Sequence, residues 1–519
     1  MTIPVHPPVG GPHPLPPPGD SAEPLSHWLE THGHPLNTRC GGRGLCNGCQ
    51  IRVESPAGIV TERACQLTAS DLPADLTRIQ IPLTSCRDAS LHGVTVFELR
   101  NPGPPPPTRP GVGLALDIGT TTVAGALWDF STGRCLAEAA VANAQRRHGD
   151  NVVARISFSI DHADGLGRLR RALLNETLRP LIAGLCRDAG IAPAAITQAV
   201  AAGNPAMLHT LAGASLVGLA TFPFHPVFLG DHHLTAADHG LPFACPLDLL
   251  PALGPFVGAD ITAGALASGL LADEPPALLI DFGTNGEILL KHAGGYLATA
   301  TAAGPAFEGG RLACGAPARP GVISSLTREN GVWSWTLTGG GNGRPAGISG
   351  AAYVDFIALG ARDDLINAFG RFNRRHPGVI TVADAAPGAG VRVQLTEDLY
   401  VSEADVAELL QAKAAIAAGV TTLLELASIR ATDLHTLYVA GGFGYHLQPA
   451  NAQALGLLPA MPLDRIALIG NSSLGGASLL LHPHQRPALN ALLADTHVIE
   501  LNQIASFGDH FTDALSLPD

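Results

Sequence analysis

Apolar and polar positions alternate with a period of two at two well-separated places in the chain. In GVGLALDIGTTTVAGALWD, Val112, Leu114 and Leu116 alternate with small residues. That pattern predicts a strand, a tight Gly/Thr turn and a second strand. PALLIDFGTNGEILL repeats it, and aligning LDIGTTT with IDFGTNG sets Asp117 against Asp281. A repeat at so long an interval predicts two homologous halves of one domain, not a solenoid. A long helix is expected over 403–427, opened by a capping box between Ser402 and Asp405. Leu437 to Ala440 read as a strand entering GGFG. GNSSLGGA (470–477) reads as a Gly-rich turn ahead of an apolar helix.

The remaining segments are set by composition. Residues 1–20 (MTIPVHPPVGGPHPLPPPGD) are Pro/Gly-rich and expected to be disordered. Residues 21–100 form a cysteine-bearing unit, and 101–110 (NPGPPPPTRP) a polyproline II linker spanning ~30 Å. The two halves of the repeat then occupy 111–277 and 278–519. A chain of 519 residues with 46% apolar residues can bury a large core of several units. The net charge of −13 without a basic run disfavours nucleic acid. No charged start followed by an apolar run marks a signal peptide, and no uninterrupted apolar stretch has the length of a membrane span, so a cytoplasmic protein is expected.

Four of the nine cysteines, Cys40, Cys46, Cys49 and Cys65, fall within 26 residues. A clustered, odd set reads as a metal site plus buried thiols, not a disulfide framework. The spacing C-x5-C-x2-C…C suits four thiolates on two irons. Gly41, Gly42, Gly44 and Gly48 let the loop wrap the cluster and aim backbone N–H groups at sulfur. A structural zinc site is the alternative, although its knuckles are usually paired C-x2-C units. Cys65 is taken as the fourth ligand, with Cys86 its rival. This segment resembles the plant- and adrenodoxin-type ferredoxins, which implies a β-grasp fold carrying a [2Fe–2S] cluster.

The two Asp-Φ-Gly-Thr turns offer N–H and hydroxyl donors to phosphate oxygens, and glycine lets a phosphate approach the backbone. They comprise Asp117, Gly119, Thr120, Thr121 and Thr122, and Asp281, Gly283, Thr284, Asn285 and Gly286. Asp117 and Asp281 are expected to hold Mg²⁺ through water, and Glu287 to position the attacking water or else to be a strand-edge residue; Glu308 is similar. Together with VAGGFG (439–444), the turns resemble the superfamily of acetate kinase, sugar kinases, chaperone ATPases and actin. The resemblance implies two ribonuclease-H-like halves closing on ATP, and an adenosine loop at Gly441, Gly442, Phe443 and Gly444. Lys413, inside an apolar helix, reads either as a snorkelling lysine or as a ribose or phosphate contact. Asn204 in GNPAM reads as a pocket residue or a structural turn.

A ferredoxin-like unit fused to such a domain resembles the reductive activators of corrinoid proteins. NAQRRHGDNVVARISFS (143–159), FVGADITA (256–263), TAAGPAFEGG (301–310) and GNSSLGGA match that family. GPAFEGG has no mechanism derivable from its residues alone. The resemblance implies ATP-dependent reduction of Co(II) to Co(I), with a corrinoid protein or cobalamin-dependent methyltransferase as acceptor. The electron donor would be a ferredoxin, flavodoxin or reductase; homodimerisation is left open. The chain departs from the family in having Gly347-Ile-Ser349-Gly350 where many members have Gly-x-Cys-Gly-Ser-Gly. It also lacks any cysteine after Cys314, unlike the archaeal methylamine-type activators. The rival functions are an ATP-driven reductase of another low-potential acceptor, a small-molecule kinase with an accessory cluster, and a nucleotide-sensing module without turnover.

Overall fold

Short strands open the chain. The computed structural model describes all residues except 1, 8–11, 18–22, 37, 39–41, 43, 45–48, 83–84, 86–96, 98, 101–108, 342, 383–389 and 519. Strands β1 (Ile3–His6) and β2 (His13–Leu15) pair antiparallel, followed by helix α1 (Leu25–Thr31), the hairpin β3 (Gln50–Ser55) and β4 (Gly58–Arg63), and β5 (Arg78–Gln80). The sheet order is β2-β1-β5-β3-β4, with β1 parallel to β5. Val5, Leu15, Leu25, Leu29, Ile51, Val53 and Ile79 form its core. Within the stretch expected to be disordered, 3–6 and 13–15 are strands instead. Val5 and Leu15 are apolar anchors within the proline-rich stretch, and burying them against α1 offsets the entropy of ordering it. Most of the expected linker lies outside the described residues.

The first repeat builds a sheet from β6 (Val112–Ile118), β7 (Thr122–Asp129) and β8 (Arg134–Ala142). Helices α2 (Val152–Asp161), α3 (Gly165–Leu173) and α4 (Arg179–Asp188) follow, then β9 (Ile196–Gly203), α5 (Pro205–Ala212), β10 (His232–Thr235), β11 (Pro246–Leu249) and α6 (Ala259–Ser268). The second repeat has β12 (Ala277–Phe282), β13 (Gly286–His292) and β14 (Gly295–Thr301). An insertion comes next: the hairpin β15 (Ile323–Glu329) and β16 (Val332–Leu337), α7 (Gly350–Arg362), and the small sheet β17 (Val379–Thr381), β18 (Val391–Gln394) and β19 (Tyr400–Ser402). The chain ends with α8 (Glu403–Leu426), β20 (Thr436–Ala440), α9 (Pro449–Leu455), β21 (Ile466–Gly470), α10 (Ser472–Leu479), α11 (Arg486–Ala494), β22 (Thr496–Val498) and α12 (Phe507–Asp513).

The two large sheets share one plan. β8-β7-β6-β9-β11 in the first half matches β14-β13-β12-β20-β21 in the second. In each, the first three strands are antiparallel, and the first strand runs parallel to the fourth and the fourth to the fifth. Helices α6 and α10 exchange partners between the halves. Leu474 and Ala477 of α10 belong to the first half's core, whereas Ile261 and Ala265 of α6 pack on Leu279 and Leu289 of the second. Their contact is close because both are small-residue helices. A Cβ on Gly476 would lie 1.9 Å from the Ala263 carbonyl oxygen, and one on Gly264 would lie 2.6 Å from Ser472 Oγ. GNSSLGGA is therefore not a turn before a helix, as expected, but the helix itself. Asn471 caps it by accepting from the Leu474 N–H (2.9 Å), and its glycines serve the crossing.

Helix α8 begins where the capping box places it. The Ser402 N–H donates to Asp405 Oδ2 (2.9 Å), and the Asp405 N–H donates to Ser402 Oγ (3.2 Å). It is long and apolar enough to cross a membrane, yet Leu409, Ile416, Val420 and Leu423 bury it in the second half's core. Ser349, at the position where the motif departs from its family, caps α7 by accepting from the Ala352 N–H (3.3 Å).

Candidate functional site

The two Asp-Φ-Gly-Thr turns meet where the halves face one another. Gly119 closes the first turn, where a Cβ would lie 2.3 Å from the Thr122 carbonyl oxygen. Three side chains brace this turn from beneath. Asn143 Nδ2 donates to the Gly119 carbonyl (2.9 Å), Asn204 Nδ2 to Thr120 Oγ1 (2.9 Å), and the fully buried Arg155 to the Thr120 carbonyl. Arg155 also donates to Gly149 O and Gln145 Oε1, each at 2.9 Å. The segment 143–159, known from resemblance alone, is thus the underside of the first turn. Asn204 caps α5 by accepting from the Met207 N–H and donates to Thr120 as well, the structural reading of this residue.

Across the cleft, Thr284 faces Thr121, with hydroxyl oxygens 3.1 Å apart. Both hydroxyls donate to one oxygen of Glu308, at 2.8 Å from Thr121 and 3.0 Å from Thr284. Glu308 closes the short 3₁₀ turn Pro305–Glu308, whose Phe307 is buried against Phe282 and Phe443. GPAFEGG acquires a physical role from this placement: phenylalanine anchors the turn and glutamate projects to the cleft. Its glycines fit where side chains cannot, since a Cβ on Gly310 would meet Pro305 Cβ at 2.6 Å.

Four further carboxylates lie within electrostatic reach of one another. Asp117 Oδ1 accepts from Ser473 Oγ and Oδ2 from Asn471 Nδ2, both at 2.9 Å. Burial raises the Asp117 pKa against these two donors. Burial, then the charges of Asp260 and Asp117, push Asp281 up to about 8. Glu287, opposite Asp281 in the β12–β13 register, is raised well above the usual range by burial and then by Asp260 and Asp281; Asn285 hydrogen-bonds to it. Asp260, in the first turn of α6, is raised by burial and by Asp117. FVGADITA (256–263) by itself gives Asp260 no role. Its signal, an acid at the start of a small-residue helix, becomes legible only once α6 is seen to reach the opposite half.

The other expected residues divide. Gly441 has φ +90°, and a Cβ there would lie 2.3 Å from the Phe282 carbonyl oxygen and 2.9 Å from Asp281 Oδ1. Gly442 is exposed with open space where a Cβ would stand, so the loop offers bare backbone to the cleft. Phe443 is 8% exposed and packs on Phe282 (5.4 Å) and Phe307 (4.8 Å) as core. Gly444 is buried beneath it, with Val439 2.8 Å from where a Cβ would stand. Gly286 seats α8, since a Cβ there would lie 1.9 Å from Ile416 Cδ1; Gly283 and Thr122 keep the two turns tight. Lys413 is buried, and its ammonium donates to the carbonyls of Ala514 (2.6 Å) and Ser516 (2.7 Å), tying down the C-terminal segment.

In the N-terminal unit, register brings two cysteines together. Gln50 pairs with Arg63, and the Ala64 N–H donates to the Cys49 carbonyl (3.1 Å), so Cys49 and Cys65 flank the ends of one hairpin. The short interval between them is the length of that hairpin. Both are buried. A hydrogen bond from the Cys49 thiol, followed by donors from Gln66 and the Gly44 N–H, holds the Cys65 thiol at about 6. Gly42 and Gly44 have φ of +81° and +70°, the conformations a loop needs to turn its N–H groups inward. Cys40, Cys46 and the rival Cys86 lie outside the described residues. Among the described residues, no group of three or more His, Cys, Asp or Glu side chains is placed to hold a metal ion.

Comparison with known proteins follows these features. Residues 112–273 match the profile of the RACo middle region, and 275–519 that of the C-terminal domain of RACo, the ASKHA domain. The corrinoid activation enzyme RamQ of Eubacterium limosum is 33% identical over 76% of this chain and 68% of its own length. The [Co(II) methylated amine-specific corrinoid protein] reductase of Methanosarcina barkeri is 25% identical over 71% and 69%. A solved structure titled reductive activator for corrinoid, iron-sulfur protein superposes with a TM-score of 0.72 at 26% identity, covering 99% of this chain and 98% of that one.

Proposed function

Since the chain belongs to the RACo family of corrinoid-activating enzymes, we propose that it reduces the Co(II) of a corrinoid protein to Co(I) with the help of ATP. The observation that carries this reading is the coexistence of two structures in one chain. One is the pair of threonine turns facing each other between the halves; the other is the buried thiol pair Cys49 and Cys65 at the end of one hairpin.

Sheet order β2-β1-β5-β3-β4 with one covering helix supports the β-grasp, ferredoxin-like reading of the N-terminal unit. Cys40, Cys46, Cys49 and Cys65 would hold a [2Fe–2S] cluster there, and the thiol pair with its inward N–H and amide donors fits such a group. The cluster supplies one-electron transfer, at a potential near ~−400 mV for plant-type centres. Leu25, Leu36 and Ile51 share one buried core with Cys49 and Cys65.

In the cleft, the turns at 119–121 and 283–285 would grip the phosphates through backbone N–H groups and hydroxyls. Carboxylates whose protonation is favoured by burial and mutual repulsion suit a site completed by a cation, because a divalent ion restores their ionised form. The acids would hold Mg²⁺ through its water shell, as that ion prefers. The bare backbone at 441–442 would take the nucleoside. Closure of the halves on ATP is a two-state element able to couple hydrolysis to the uphill transfer.

The test is to mix the anaerobically purified protein with a Co(II) corrinoid protein and a mild reductant, and to follow Co(I) absorbance with and without Mg-ATP. Co(I) should accumulate only with ATP and be lost in Cys49→Ser and Asp281→Asn. With an intact cluster and several corrinoid proteins tried, no Co(I) under any condition overturns the assignment.

A further inference from the structure

Glu308 makes a contact that the catalytic scheme leaves unexplained. Thr121 belongs to the first half and Thr284 to the second, yet both hydroxyls converge on the same carboxylate oxygen, at 2.8 and 3.0 Å. A threonine hydroxyl has one proton to donate. With both protons directed at Glu308, the 3.1 Å separation of the two hydroxyl oxygens is the approach of two donors around a shared acceptor. Donors from opposite walls of a cleft meeting on one anionic oxygen is the arrangement a phosphate oxygen would require.

The surroundings fix the carboxylate there. Phe307, the preceding residue, is 2% exposed within the aromatic trio, and Gly350 lets α7 press on the turn, since a Cβ there would stand 1.9 Å from the Phe307 carbonyl oxygen. Glycines bound the turn on both sides, with Gly304 and Gly309 at φ +75° and +76°. The turn is thus anchored at Phe307 between two glycines of positive φ.

We propose that Glu308 is an internal stand-in for the terminal phosphate of the nucleotide: it bridges the two threonine turns, and an entering triphosphate displaces it. The inference rests on the ATP reading of the cleft. A triphosphate must compete with the carboxylate for the two hydroxyls and meets its charge. A diphosphate, which lacks the terminal group, leaves the bridge in place. Glu308 therefore sets the preference between the two nucleotides.

Calorimetric titration of full-length protein with Mg-AMPPNP and Mg-ADP tests this. Glu308→Gln keeps the side chain's shape and removes its charge. Its affinity for AMPPNP relative to ADP should rise about tenfold, equivalent to about 1.4 kcal/mol, with ADP affinity unchanged within about twofold. As a measurement on unaltered protein, hydrogen exchange at residues 304–310 should accelerate with AMPPNP and stay constant with ADP. A nucleotide ratio that is unchanged or lowered in Glu308→Gln, or equal exchange with the two nucleotides, overturns the proposal. Wild-type protein that binds neither nucleotide overturns the ATP reading itself, a result distinct from an unchanged ratio.

Discussion

Ser473→Ala isolates one hydrogen bond at the cleft and converts it into a pH shift. Ser473 Oγ donates to Asp117 Oδ1 at 2.9 Å, while Asn471 serves the other oxygen. Burial raises the Asp117 pKa, and these two donors are what opposes the rise. Ser473 is itself buried at 4% exposure, so water does not replace the lost hydroxyl. A hydrogen bond to a charged group contributes about 1.5–3 kcal/mol, which corresponds to roughly one to two pH units. The sign follows from the protonation states: the acid is raised, its ionised form is the one that would serve the proposed cation, and activity is expected to grow as pH rises through the transition. Loss of the donor moves that rising limb to higher pH. The limb belongs to the interacting set of Asp117, Asp260 and Asp281 jointly. The assay is kcat/KM for Mg-ATP hydrolysis between pH 6 and 9.5. Ser473→Ala should be at least tenfold slower near pH 7 and approach wild type at the alkaline end. A loss of equal size at every pH would refute the reasoning, since it would mark a structural defect.

Two further predictions concern the frame of the cleft. Lys413, lowered by burial from 10.5 to about 8, is disfavoured in its charged folded form; the resulting penalty, roughly 3 kcal/mol, is present below pH 8 and is relieved as pH rises towards the unfolded value. The stability of wild type relative to Lys413→Met should therefore rise by about 2 kcal/mol between pH 7 and 9.5 in urea unfolding, and a flat difference would contradict it. Gly476→Ala must push α10 away from the Ala263 carbonyl, now only 1.9 Å from the position of a Cβ, at about 1–3 kcal/mol. Because Asn471 and Ser473 travel with α10, nucleotide affinity should fall at least ~tenfold. Gly508→Ala, with open space around it, should change neither quantity.

Local patterns in the sequence determined much of this protein. The two strand–turn–strand repeats are encoded in period-two alternation and glycine placement, and the α8 start in a Ser402/Asp405 box, because each depends on residues within a few positions of one another. The pairing of Cys49 with Cys65 follows from a hairpin whose length the chain itself sets. Tertiary structure decided what no short window contains. The exchange of α6 and α10 between halves makes Asn471 and Ser473 partners of Asp117 and brings Asp260 into the same field. Composition misjudged residues 1–20, where two apolar side chains in a proline-rich stretch gain a sheet to bury against. Lys413 and Phe443 stood near the right motifs, but their directions were fixed by what packs around them: carbonyls of the C-terminal segment in one case and an aromatic core in the other. Glu308 is the sharpest instance, because two threonines far apart in sequence become its donors only when the halves close on a shared floor.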